Sequence, residues 1–169
     1  MIRKIRQCMK MRRSLQIIGM VCVLVLSSWA GAADKKMPAP SSRDKCPVCG
    51  MFVAKYPDWT TAVLLKDGSH IFFDGTKDMF KYLFDLKRYD PLRKTVDIQD
   101  VMVRDYYRLE WLSAHKAWYV LDSDVYGPMG RELIPLALEA DAREFLRDHK
   151  GKKILRFTDV TREVIQSLD

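Results

Sequence analysis

The sulfur atoms are the first residues in this sequence that could do chemistry. Cys46-Pro47-Val48-Cys49-Gly50-Met51 places two thiols and a thioether within six residues. Both donor types are soft and polarisable, and they favour Cu(I) over harder ions. Gly50, between Cys49 and Met51, lets the backbone bend so that both sulfurs can face one ion. Three other readings share this spacing. The cysteines can form a structural disulfide. C-x-x-C can also be a thiol–disulfide exchange motif, although that motif normally opens a helix after a strand. Third, the pair can be half of a zinc site, which needs four ligands. No second C-x-x-C or close histidine pair follows to complete one.

A further soft ligand is expected at Met129, in Tyr126-Gly127-Pro128-Met129-Gly130. Glycine and proline on both sides make a tight loop that holds this methionine out of the core. The alternative is that Met129 fills a small apolar gap, as methionine often does. Met79 falls on the apolar face of a helix and Met102 in a strand, and both read as core. His70 and His115 read as surface residues, and His149 lies in the last turn of a helix, where a cation is favoured. Lys87-Arg88 and Arg93-Lys94 read as a solvated face. No nucleophile elbow, phosphate-cradling glycine loop or HExxH is present, and the sequence does not argue for an enzyme. Asp74-Gly75-Thr76-Lys77-Asp78 is read as a helix cap rather than as acid–base machinery.

The net charge of +7 belongs to the start of the chain. Residues 1–32 hold six Lys or Arg and no acid, then the apolar run LQIIGMVCVLVL, then Ala30-Gly31-Ala32. That is the pattern of a secretory signal peptide cleaved after Ala32. The run is shorter than the ~20 residues that span a bilayer. Removing the six from the 29 basic residues leaves 23, against 22 acidic ones. The electrostatic case for nucleic acid therefore disappears. Arg12-Arg13 has a twin-arginine look, so either export route fits. Cys8 and Cys22 leave with the signal. Val21 stands before Cys22, where a lipid-attachment site would want a small residue, and membrane attachment stays open.

Residues 33–45 (ADKKMPAPSSRDK) read as a flexible lead-in. Beyond them the pattern predicts an α+β domain over 46–169. A strand over 60–65 and Ile71-Phe72-Phe73 flank Asp67-Gly68, a strong hairpin signal. Asp74 or Thr76 then caps a helix through Met79, Phe80, Leu83, Phe84 and Leu86, ended by Asp90-Pro91. Further strands are predicted over 96–103, at Trp111-Leu112 and over 117–121. A turn-rich loop over 124–130 follows, then a helix over 138–150 with Gly151 just past its end. The chain closes on a strand over 154–157 and a short helix capped by Asp159 or Thr161. This order suggests two similar units of two strands, a helix and a strand, about 46–95 and 96–169, sharing one core.

Taken together these residues resemble the NosL family, accessory factors of nitrous oxide reductase. The resemblance rests on Cys46-Pro47-Val48-Cys49-Gly50-Met51, on Asp67-Gly68 before Phe72-Phe73-Asp74, and on Gly127-Pro128-Met129-Gly130 before Glu132-Leu133-Ile134-Pro135. Asp141-Ala142-Arg143-Glu144-Phe145, with Gly151 and a short strand, continues it. It implies a periplasmic Cu(I) metallochaperone that helps load the copper centres of nitrous oxide reductase or serves its assembly complex. It also implies a fold of two related units, similar to part of organomercurial lyase. The ligands it implies are Cys49 and Met51, with Met129 as their partner and Cys46 beside them. Many members are lipoproteins, and here the sequence departs from that pattern. Two other functions remain on the residues alone: a thiol–disulfide oxidoreductase using Cys46 and Cys49, or an adaptor braced by their disulfide.

Overall fold

The computed structural model describes residues 37–169. The expected signal peptide, and with it Cys8 and Cys22, lies outside the described residues. Among the described residues no helix is long and apolar enough to cross a membrane.

The predicted hairpin forms. Strand β1 (Thr61–Leu65) pairs antiparallel with β2 (His70–Phe73), from Thr61 opposite Phe73 to Leu64 opposite His70. At the turn Gly68 takes φ +85°, a conformation glycine reaches without steric penalty. The Asp67 carboxylate accepts the Ser69 amide at 2.9 Å and fixes the turn locally. Helix α1 (Thr76–Phe84) follows directly. It stops at Asp85, and a separate single turn, α2 (Leu86–Tyr89), carries the chain to Asp90. Strand β3 (Ile98–Arg104) then returns to pair with the free edge of β1. The first unit thus runs past residue 95, because β3 belongs to the sheet of β1. Strand β4 (Trp111–Ser113) adds to β3 and completes a sheet in the order β2-β1-β3-β4.

The second unit repeats the plan with a different pair of strands. Its central strand β5 (Trp118–Leu121) lies between β8 (Ile134–Leu136) and β9 (Lys153–Arg156), with helix α3 (Glu139–Asp148) between the outer two in sequence. With its bounds of about 96–169, the second unit expected from the sequence takes in Trp111-Leu112 together with the strand over 117–121. Instead Trp111-Leu112 extends the first sheet, and β8 is the partner. Pro135 hides β8 from sequence reasoning, since proline cannot donate to a ladder. At the sheet edge that loss is tolerated, and the Pro135 carbonyl turns outward to accept the Tyr106 amide at 2.9 Å. Between β5 and β8 the predicted loop is a small ribbon, β6 (Tyr126–Gly127) against β7 (Gly130–Arg131), turning through Pro128-Met129.

The two sheets share one core. Phe80 of α1 packs edge-on against Tyr119 of β5, with ring centroids 5.6 Å apart, and against Phe157 at 5.1 Å. Tyr82 meets Phe73 of the first sheet at 5.1 Å. Tyr119 faces this shared cluster, whereas Val120 faces a smaller one with Ile134, Leu136, Ala142 and Phe145. Strand β5 is therefore covered on both faces, which is why Trp118-Tyr119-Val120-Leu121 shows no polar alternation. The last helix, α4 (Arg162–Gln166), is capped by Thr161, whose hydroxyl accepts the Val164 amide at 3.3 Å.

Candidate metal centre

The cysteine segment is a closed loop that precedes the first sheet in the chain. Lys45 bridges to Phe52, and inside that bridge the Cys46 amide donates to the Met51 carbonyl at 2.9 Å. The Gly50 amide returns to the Cys46 carbonyl at 2.9 Å, with Gly50 at φ +78°. An L-residue there would be strained, so glycine sets the curl of the loop. Cys46 is buried, at 1% exposure, while Cys49 and Met51 are half-buried. Both cysteines are free thiols.

Each thiol faces a carboxylate from the start of α1. Cys46 Sγ donates to Asp78 Oδ2 at 3.4 Å, and Cys49 Sγ donates to Asp74 Oδ1 at 3.2 Å. Asp74 and Asp78 are themselves buried, at 1% and 2% exposure. One ligand atom from each of the four residues lies within 4.8 Å of all the others. The sequence alone assigns the Asp74–Asp78 segment to helix capping. The structure corrects this, because Gly75 is the N-cap residue and no side chain of its own caps the helix. Asp74 stands just before the helix and Asp78 in its first turn, so the spacing of four brings both acids to the cysteine loop. One signal was available. Two acids interrupt the core-bound run from Phe72-Phe73 to Met79-Phe80, and a buried acid needs a partner.

Burial sets the proton balance of this cluster. Burial pushes the Cys46 thiol far up, against the opposing pull of the Cys49 and Val48 amides, and the Asp74 charge adds to the rise. Burial also pushes Cys49 up to about 12, with the Met51 amide opposing and the hydrogen bonds to Asp78 and Asp74 reinforcing it. The Asp78 carboxyl is raised by burial, while its hydrogen bonds to Cys49 and Cys46 act in the other direction. The thiols therefore keep their protons and spend them on the carboxylates. A cation that engages both thiols must displace those protons, so a divalent ion leaves the cluster's net charge unchanged and a monovalent ion leaves it one unit more negative. The helix amino terminus under Asp78 favours the same negative charge. Two thiolates suit a soft ion, and all four donors together suit a tetrahedral borderline ion such as Zn(II). The zinc reading lacked two ligands in sequence, and the aspartates are of the type to fill them.

Met129 lies on the ribbon turn, 43% exposed, beside Lys77, Lys81, Arg131 and Asp169. Its backbone is tied to the helix that carries Asp78, since Lys77 Nζ donates to the Met129 carbonyl at 2.9 Å. The structure thus brings Cys46 and Cys49 together with two aspartates and puts Met129 on an adjoining element. No histidine belongs to the cluster. His70 stacks on Phe72, His115 lies against Phe157, and His149 stacks on Phe145.

The fold and site together define an α+β protein of two small sheet-and-helix units, with a thiol–carboxylate cluster of a kind that could hold a metal ion. Comparison with known proteins places it further. The NosL family profile matches residues 37–165, and the chain belongs to that family. It is 28% identical over 131 residues to the copper-binding lipoprotein NosL of Stutzerimonas stutzeri. The match takes in 73% of this chain and 65% of that relative, so the chain spans just under two thirds of its length. The crystal structure of the copper chaperone NosL from Shewanella denitrificans is similar with a TM-score of 0.64 and 25% identity, covering 76% of this chain and 98% of that one. The solution structure of apo-NosL from Achromobacter cycloclastes also matches, at a TM-score of 0.45 and 23% identity, over 62% of this chain and 87% of that one.

Proposed function

We propose that this chain is an exported, periplasmic metallochaperone that carries Cu(I) as cargo and passes it on by ligand exchange, with nitrous oxide reductase maturation as the destination. The observation that carries the reading is the pair of free thiols, one buried and one half-buried, held on a surface loop of a NosL-family fold. Cys49 is the more accessible thiol and anchors the ion. Met51, on the same loop, and Met129, from the ribbon, supply thioethers, and Cys46 stands behind Cys49 as a further sulfur. A site with few, soft ligands leaves room for an incoming donor, so the ion changes hands without entering solution. Export is supported by the signal-like residues 1–32 and by the relative named a lipoprotein. Nitrous oxide reductase as recipient rests on the family resemblance.

Thiol–disulfide exchange fits the same cysteines less well. It needs a thiolate near neutral pH, and burial drives both thiols the opposite way. A Cu(I) competition titration on the reduced protein tests the proposal. Cys49→Ser and Met129→Ala are both expected to weaken binding, Cys49→Ser the more strongly. Unchanged affinity in both variants would end it.

A further inference from the structure

The amino terminus of α1 is completed by a residue from the other unit. Its N-cap, Gly75, has no side chain to offer the exposed amides of the first turn. Glu132 Oε1 accepts the Lys77 amide at 2.5 Å and the Leu133 amide at 2.9 Å. Lys77 answers across the same gap, its Nζ donating to the Met129 carbonyl at 2.9 Å. One lysine is therefore held through its backbone and its side chain by two points of the segment 129–132. The ring so formed closes around the Met129 turn. Lys77 Nζ also donates to the Leu168 carbonyl at 3.1 Å, which pins the lysine from behind.

Glycines leave room for this carboxylate on two sides. A Cβ at Gly75 would collide with Glu132, and one at Gly127 would come within 3.2 Å of its Cγ. Glu132 is 3% exposed, and burial pushes its carboxyl up to about 8. A buried acid is a costly way to finish a helix when a local Ser, Thr or Asp at the N-cap does the same work. Thr161 does so for α4 in this very chain. What a local cap cannot do is fix the ribbon's position. Lys77 precedes Asp78 directly, so the turn that holds Met129 is locked to the turn that faces Cys46.

We infer that the Glu132–Lys77 clamp is the positioning device of the copper site: it holds the Met129 turn against the first turn of α1 so that both loops can serve one ion. The inference rests on the copper reading above and adds Glu132 as a positioning residue. Loss of a partner that orients a ligand typically lowers metal affinity about 10- to 100-fold. Glu132→Ala should lower Cu(I) affinity by a factor in that range.

A double-mutant cycle with Met129→Ala separates positioning from mere support of the fold. With the clamp gone Met129 is no longer presented, so Glu132→Ala combined with Met129→Ala should bind no more weakly than the weaker single variant. Glu132→Gln keeps an oxygen for the Lys77 amide and should recover most of the affinity. Should Glu132→Ala fail to fold, Lys77→Leu removes the Nζ contact to the Met129 carbonyl without adding a sulfur donor and should show the same non-additivity. Full affinity in a folded Glu132→Ala protein, or losses that multiply, would overturn the clamp while leaving the copper reading intact. A Met129→Ala variant that binds like the parent protein would overturn the Met129 assignment and the clamp together.

Discussion

Proton balance at Cys46 and Cys49 decides how the site meets a metal ion. Each thiol donates its proton to a carboxylate, and burial holds Cys49 at about 12 and Cys46 above its ordinary value. A Cu(I) ion must therefore displace a proton from every thiol it engages. Because the thiols stay protonated well past neutrality, apparent affinity should rise with pH. The expected slope is about tenfold per pH unit for each proton released, sustained between about pH 6 and pH 9. An ordinary thiol would begin to flatten the curve near the top of that range. Competition titrations at several pH values, corrected for the competitor's own titration, read this slope. An affinity that does not change with pH would contradict the protonated-thiol description. The aspartates were the part of the site hidden from sequence reasoning. Asp74 and Asp78 also fit helix capping, and only the tertiary approach of the cysteine loop shows that they face sulfur instead.

Elements with strong local signals were legible in the sequence, and those defined by long-range pairing were not. Asp67-Gly68 announces its hairpin because few residues take a positive φ. The apolar spacing of Met79, Phe80 and Leu83 announces α1. Helix α3 lies inside its predicted span, at Glu139–Asp148, and its end is closed by Lys150 at φ +54° rather than by Gly151. Strand β8 is not legible in the sequence because Pro135 looks like a strand breaker, and its edge position follows only from the order β8-β5-β9. Trp111-Leu112 read correctly as a strand but joined the other sheet, since strand propensity says nothing about partners. The turn-rich composition over 124–130 marks the turn but not the ribbon strands that flank it. Gly130, at φ +86°, closes a ribbon whose docking depends on Glu132, a contact spanning 55 residues of sequence.

Across the molecule, the two units are held as one by aromatic packing rather than by a shared sheet. Phe80 leaves α1 to meet Tyr119 of the second unit and Phe157 beyond β9, and it is almost fully buried. Truncating a buried aromatic of this kind costs about 3–5 kcal/mol. Phe80→Ala should lower stability by about that much in denaturant unfolding and keep a single cooperative transition. A loss below about 1 kcal/mol, or two separated transitions, would show that the units do not depend on this contact. The duplication itself could be suspected from the order of elements, because a hairpin and one helix bury too little apolar surface alone.

The central claim is that sulfur from the Cys49 loop holds a Cu(I) ion, and X-ray absorption at the copper K-edge of the reduced, copper-loaded protein tests it most directly. The account predicts a first shell dominated by sulfur at low coordination number, with one sulfur scatterer lost in Cys49→Ser. A shell built mainly of oxygen and nitrogen, or one left unchanged by Cys49→Ser, would contradict it.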